Sequence, residues 1–520
     1  MLGAAEPFGT IKMNALGKRA ALLALLFAFA APALAQNNRN TPPPPAGGGI
    51  LTLLPPTTAS RHQIAIAGKQ IAYIAEAGTV AIRDGNGTIT AEVFYTAYFQ
   101  ENPAPRRPIA FVSNGGPGAA SAFLNLGAIG PKALTMTASG EIAPPPAELL
   151  DNPDCWLDFS DLVFVDPVGT GYSRAADPNA ESQFWGVRRD TDTMAAFIRL
   201  YLQQSGRMLS PLFLVGESYG GFRAAMLART LQADTGIAPS GLVLISPALE
   251  MSLLRASDYD PLPWALTLPA LAAANLELQG VTGRAALAER LKEVERYALS
   301  DYLTALAAPL PTGGRLASGQ VSRFTGLPLE LVERNFGRVS ASLFMKEREQ
   351  AGGQVLSRYD GAVASPDLNP GSGSIRGPDA VLDRGVPAWT SAFVAHVRED
   401  LGFRTEITYR LLNHDISGRW DYGGGGSRQG FAGALDDLAE ARARNPRLQV
   451  LIAQGYSDLA TPYPTGAFLV GQMPPLPGAA PITIETYEGG HMMYMRPQSR
   501  AALKGDAAAL FKRAVPAQGG

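Results

Sequence analysis

The sequence predicts an α/β fold: a mostly parallel sheet with helices on both faces and a largely helical cap insertion. Three observations carry this. First, short apolar runs bounded by glycine and proline recur from residue 108 onward: Ile109–Val112, Leu162–Val165, Leu212–Val215, Leu242–Ile245, Leu448–Ala453 and Ile482–Tyr487. Strands apolar at successive positions are buried on both faces, as in parallel sheets covered by helices. Second, helical stretches such as Asp190–Gln204 and Gly221–Ala233 separate these runs, the alternation that builds layered α/β domains. Third, residues 251–440 break the rhythm with helix-like segments (Arg284–Ala307, Leu329–Gln350, Ala388–Leu401) and Gly- and Pro-rich loops. An insertion of that length between sheet strands reads as a cap over one edge of the core.

The elements before residue 108 follow a different pattern. Lys12, Lys18 and Arg19 precede an apolar run, Ala20–Ala31, and then Ala33-Leu34-Ala35. Positive charge, a short apolar core and small residues before the cut describe a signal peptide over residues 1–35. Met13 is an alternative start. Export to the periplasm or the exterior follows, with no stable membrane span after cleavage, because the run falls short of the about 20 residues a span takes. Residues 36–60 form a Pro- and Gly-rich linker, beginning QNNRNTPPPPAGGG. His62–Ile66 and Gln70–Ile74 then alternate apolar and polar around Gly68-Lys69. Thr79–Ile82 and Thr88–Phe99 do so around Asp84-Gly85-Asn86-Gly87. Both pairs read as hairpins. The domain reading is therefore a core of 61–250 and 441–515 interrupted by a cap of 251–440.

Composition narrows the chemistry. A formal charge of −2 gives no electrostatic grip on nucleic acid. The single cysteine, Cys155, cannot close an intramolecular disulfide and reads as a packing residue beside Trp156. No CxxC or HExxH spacing occurs, so neither a metal nor another cofactor is expected. Gly423–Gly426 lacks a preceding strand and a following helix, and reads as a loop rather than a phosphate cradle.

One segment carries a nucleophile. Leu212–Val215 runs into Gly216-Glu217-Ser218-Tyr219-Gly220 and then into a helix. In G-x-S-x-G the serine sits on a strained strand–turn–helix corner, and the flanking glycines permit an approach that a Cβ would block. This is the α/β-hydrolase arrangement, in which the acid and then the histidine follow the serine along the chain. Asp458, in Gly455-Tyr456-Ser457-Asp458, and His491, in Gly489-Gly490-His491, each follow a late strand. Of the other histidines, His62 precedes the nucleophile, His396 lies on an amphipathic helix and reads as a surface or cap residue, and His414 falls inside the cap. Ser218, Asp458 and His491 are thus the expected triad. Asn114-Gly115-Gly116-Pro117-Gly118 leaves another strand as a glycine-rich turn, able to add an oxyanion donor to the Tyr219 N–H.

Five segments in order resemble the serine carboxypeptidase family in its bacterial, disulfide-poor form: Asn114–Gly118, Val165-Asp166-Pro167-Val168-Gly169-Thr170-Gly171-Tyr172-Ser173, Gly216–Gly221, Gly455–Thr461 and Gly490-His491-Met492. The resemblance runs from about residue 60 to 500, strong in the core and weak in the cap. It implies the triad above, an oxyanion hole from the N–H groups of Gly116 and Tyr219, and binding of a substrate carboxylate by Asn114, Gly115 and Glu217. Glu217 can hydrogen-bond a carboxylate only when protonated, so burial must raise its pKa, and peptide cleavage would be favoured at acidic pH. The family often has a second glutamate before a Gly-Pro. Here Gly130-Pro131 is present but Ala128 stands in the glutamate's place.

The expected function is an exported serine carboxypeptidase acting on peptides with a free C-terminus through an acyl-enzyme. A proline iminopeptidase-like aminopeptidase, an esterase or an acyltransferase on the same triad remain open. A non-catalytic binding protein is disfavoured because no triad member is missing.

Overall fold

The computed structural model describes residues 49–515 apart from 104–105, 144–145, 255–256 and 424–431. The signal segment, most of the linker and Gly424–Gly426 lie outside the described residues.

Three antiparallel strands come first: β1 (Thr58–Ile66), β2 (Lys69–Arg83) and β3 (Ile89–Gln100). The two hairpins expected from the sequence share one strand. β2 runs unbroken for 15 residues and pairs with β1 through its first half and with β3 along most of its length. The alternating pattern of Gln70–Ile74 simply continues through Thr79–Ile82, so nothing ends the strand between them.

The apolar runs become β4 (Ile109–Ser113), β5 (Asp161–Val165), β6 (Leu212–Glu217), β7 (Gly241–Ile245), β8 (Gln449–Gly455) and β9 (Ile482–Tyr487). Their order across the sheet is β1-β2-β3-β5-β4-β6-β7-β8-β9, with the short strand Arg174–Ala175 paired to β3 off this path. From β5 to β9 every pairing is parallel. Alternation along each strand divides the core in two. Phe213, Val215, Val243 and Ile245 pack into one cluster, whereas Leu212, Leu214, Leu242 and Leu244 pack into another. Side chains on successive residues point to opposite faces, so both faces are buried and the run is apolar throughout.

Helix α1 (Val187–Gln204) and α2 (Tyr219–Thr230), which starts just after Ser218, line one face. Between β7 and β8 the chain forms a third cluster, built on α3 (Pro261–Leu278) and the helical run from Arg284 to Ala307. Two expected cap helices differ. Leu329–Gln350 is broken into Leu329–Arg334 and Ala341–Glu347. Phe336 and Gly337 take positive φ there, and the Ser340 hydroxyl accepts from Leu343 N to start the second piece. The segment predicted from Ala388 begins earlier, as α4 (Leu382–Ala395), and carries Pro387 inside it. No described helix is long and apolar enough to cross a membrane.

Candidate active site

β6 delivers Glu217 and Ser218 at its C-terminal end, where α2 begins. Ser218 adopts φ 58° and ψ −123°, a conformation that costs a non-glycine residue about 1–3 kcal/mol and persists where surroundings enforce it. The surroundings are backbone: Ser218 N donates to Ile245 O at 2.9 Å, and Ala248 N donates to Ser218 O at 3.2 Å. A Cβ on Gly216 would collide with the Gly220 carbonyl, which is why the corner needs glycine on both sides. Ser218 is half-exposed, while Glu217 and Tyr219 are buried.

The turn after β4 packs directly against this corner. A Cβ on Gly115 would stand 2.5 Å from Tyr219 N and 2.7 Å from both Glu217 O and Gly220 N. The peptide Gly116–Pro117 is cis. The N–H groups of Gly115, Gly116 and Tyr219 have no acceptor among the described residues, and the turn that carries the first two packs against the corner that carries the third.

Asp458 and His491 follow neighbouring parallel strands, β8 and β9. His491 Nδ1 lies 2.8 Å from Asp458 Oδ2. Asp458 is fully buried and saturated: Oδ1 accepts from Ala460 N (2.8 Å) and Thr461 N (2.9 Å), and Oδ2 from Thr461 Oγ (2.6 Å). With Nδ1 donating to this carboxylate, Nε2 carries the lone pair. Burial works to lower the His491 pKa, but the charge and hydrogen bond of Asp458 outweigh it and raise it. No hydrogen bond joins Ser218 Oγ to His491 among the described residues. Such contacts commonly tighten only when substrate is bound.

Glu217 is the third group at the site. Asn114 Nδ2 donates to its Oε2, and the Tyr494 hydroxyl lies 3.0 Å from both carboxyl oxygens. Burial pushes the Glu217 pKa up to about 7, with His491 and the hydroxyl of Tyr494 pulling the other way. Tyr494 was not picked out from the sequence. It lies three residues past His491, and only the 3-10 turn Met493–Met495 brings it back over Glu217. Ala128 is buried, and its carbonyl accepts from Asn152 Nδ2 at 3.0 Å.

The cap reaches the dyad through one strap, Arg358–Gly361. His491 N donates to Tyr359 O (2.5 Å), Leu459 N to Arg358 O (3.2 Å), and Gly361 N to Ser457 O (2.8 Å). The Tyr359 ring stands edge-on to the His491 ring at 5.4 Å. Asp360 accepts from Ser457 Oγ (2.8 Å) and Arg496 Nη2 (2.8 Å), and Arg496 also holds Glu277 of α3 and Glu488. Beside Leu459 and Ala460 a cavity of about 260 Å³ opens between cap and core, lined by Leu253, Trp264, Met345 and Arg358 among others.

The other histidines stand apart. His62 stacks on Tyr73 in β1–β2, and His414 is exposed at the start of a short helix. His396, read as a surface or cap residue, lies within the cap but is not on the surface. It is buried, with Nδ1 2.7 Å from Asp400 and Nε2 3.2 Å from the Tyr98 hydroxyl of β3. Cys155 is buried, and burial pushes its thiol up to about 12. No group of three or more metal-ligating side chains occurs among the described residues.

A serine on a strained strand–helix corner, on a mostly parallel sheet with an inserted cap, defines an α/β-hydrolase. Residues 75–237 match the sequence profile of the serine carboxypeptidase family. The chain is 28% identical to serine carboxypeptidase-like 50 of Arabidopsis thaliana over 148 residues, 28% of this chain and 31% of that protein. It is 26% identical to the pheromone-processing carboxypeptidase KEX1 of Puccinia graminis over 202 residues, 38% of this chain and 28% of that protein. These alignments span less than a third of the relatives' own length. The crystal structure of the prohormone-processing carboxypeptidase Kex1 from Saccharomyces cerevisiae superposes with a TM-score of 0.52 at 14% identity. That match covers 84% of this chain and 91% of the other, and shows the shared fold.

Proposed function

We propose that the chain is an exported serine carboxypeptidase, with residues 61–250 and 441–515 as its catalytic core and 251–440 as its cap. Ser218 attacks the scissile carbonyl while His491 Nε2 takes its proton, and Asp458 holds the imidazole and stabilises its charged form. The N–H groups of Gly116 and Tyr219 face the developing oxyanion, each such donor being worth about 3–4 kcal/mol of barrier. His491 then protonates the leaving amine, and water releases the acyl group by the same steps in reverse.

The observation that carries the exopeptidase reading is Glu217, buried against the nucleophile with its pKa near 7. Protonated, it donates to a substrate carboxylate alongside the Asn114 amide and the Gly115 N–H; ionised, it repels one. Binding is therefore intact below about pH 7 and lost above it. The raised His491 pKa bounds activity from the acid side. The cavity beside Ala460 would receive a substrate side chain.

Two blocked peptides test the reading. An N-acylated peptide with a free C-terminus should be cleaved one residue at a time, and the same sequence with a free N-terminus and a C-terminal amide should resist. The reverse result would overturn it in favour of an aminopeptidase. One observation favours that second reading: Glu217 accepts from two donors, as an ionised carboxylate would, and so could hold an amino terminus.

A further inference from the structure

The nucleophile helix buries a cation that the mechanism above does not use. Arg223 lies five residues past Ser218 and is 1% exposed. Its Nε donates to Asp190 Oδ2 of α1 at 2.6 Å. Its Nη1 donates to the backbone carbonyl of Asn114 at 2.8 Å, with Ser113 Oγ at 3.3 Å. The guanidinium sits 5.3 Å from the centre of the Tyr219 ring. One buried ion pair thus spans α1, α2 and the turn after β4.

Peptide planarity converts this contact into direction. The Asn114–Gly115 bond is not among the cis peptides, so its carbonyl and its N–H point opposite ways. Arg223 holds the carbonyl from the α2 side, which leaves the Gly115 N–H facing away from Arg223, without an acceptor among the described residues. A hydrogen bond from a cation also polarises the amide and strengthens its N–H as a donor. The plane has little freedom to turn. The Asn114 side chain is engaged at both ends, Oδ1 accepting from Leu124 N at 3.1 Å and Nδ2 donating to Glu217, and Gly115 is wedged against the 217–220 corner.

We infer that Arg223, held by Asp190, is a positioning residue that aims and polarises the Gly115 N–H toward the carboxylate of a bound peptide. This rests on the reading of Asn114, Gly115 and Glu217 given above.

The chain contains two Asn-Gly dipeptides, Asn86-Gly87 and Asn114-Gly115. Labelling asparagine carbonyl carbon and glycine nitrogen in the full chain therefore yields two amide cross-peaks, with Gly87 as internal reference. In Arg223→Met/Asp190→Asn, which removes both charges together, the Gly115 amide should move upfield while Gly87 stays. KM for an N-acylated peptide should rise about tenfold or more, as expected for a weakened charge-assisted hydrogen bond. Hydrolysis of p-nitrophenyl acetate, which has no carboxylate to bind, should change far less. An unmoved Gly115 peak, or ester and peptide rates falling in parallel, would overturn the inference. If the double variant does not fold, Arg223→Lys keeps the charge but cannot fork between Asp190 and Asn114, and must shift Gly115 in the same sense. If the native chain cleaves no N-acylated peptide, the carboxypeptidase reading fails by itself, and the Gly115 peak still decides the positioning role.

Discussion

Tyr494 brings its hydroxyl to 3.0 Å from both carboxyl oxygens of Glu217. Two carboxyls side by side share a proton because they cannot both ionise. A phenol imposes no such restriction, and its hydrogen bond favours the ionised carboxylate. Tyr494→Phe should therefore raise the Glu217 pKa and move the alkaline limb of kcat/KM upward by about half to one pH unit, the worth of one hydrogen bond. A limb that stays put in a pH–rate series would show that Tyr494 does not act on Glu217.

The same limb should vanish in Glu217→Gln. An amide keeps a donor at every pH, so above pH 7 the variant should lose activity less steeply than the native chain. His491 sets the other limb: Asp458 raises its pKa against the effect of burial, so the base is lost as pH falls through that raised value. Peptide kcat/KM measured from pH 5 to 9 for both proteins checks the two limbs together.

Asp458→Asn should lower kcat by about 10⁴-fold, because the amide favours the wrong imidazole tautomer. Ser218→Ala should abolish covalent labelling by a fluorophosphonate, read by intact mass. Labelling that persists in Ser218→Ala would place the nucleophile elsewhere.

Arg496 holds Asp360 and Glu277 together beneath the strap. Burial, with the charge of Asp360 second, already pushes the Glu277 pKa up to about 7. Arg496→Met leaves the two acids facing each other and should destabilise the fold by about 3–5 kcal/mol. An acid whose folded pKa is raised loses stability as pH climbs from its unfolded pKa toward the folded one. The variant should therefore melt lower at pH 7 than at pH 5 relative to the native chain, as scanning calorimetry at the two pH values would show.

What the sequence made legible was local. The central parallel strands, such as Ile109–Ser113 and Gly241–Ile245, declared themselves because both of their faces are buried. The Ser218 corner was legible because its φ of 58° and its close contacts admit few residue types. What stayed hidden depends on partners far along the chain. His396 has an aspartate and a tyrosine of its own, but Tyr98 is 298 residues away, and helical periodicity does not reveal what covers a face. The same holds for Arg223, whose position on α2 says nothing of the Asn114 carbonyl it meets. Tyr494 needed a turn whose geometry no residue pattern marks.

The strap Arg358–Gly361 also bears on how such a chain can diversify. It touches the loops that carry Asp458 and His491 through main-chain groups, which are present whatever the side chains are. The cap can thus drift widely in composition, changing what it offers a substrate, while a few peptide groups keep the imidazole in register. A chimera that exchanged residues 251–440 for a foreign cap would need to restore those few bonds before any new selectivity could be expressed.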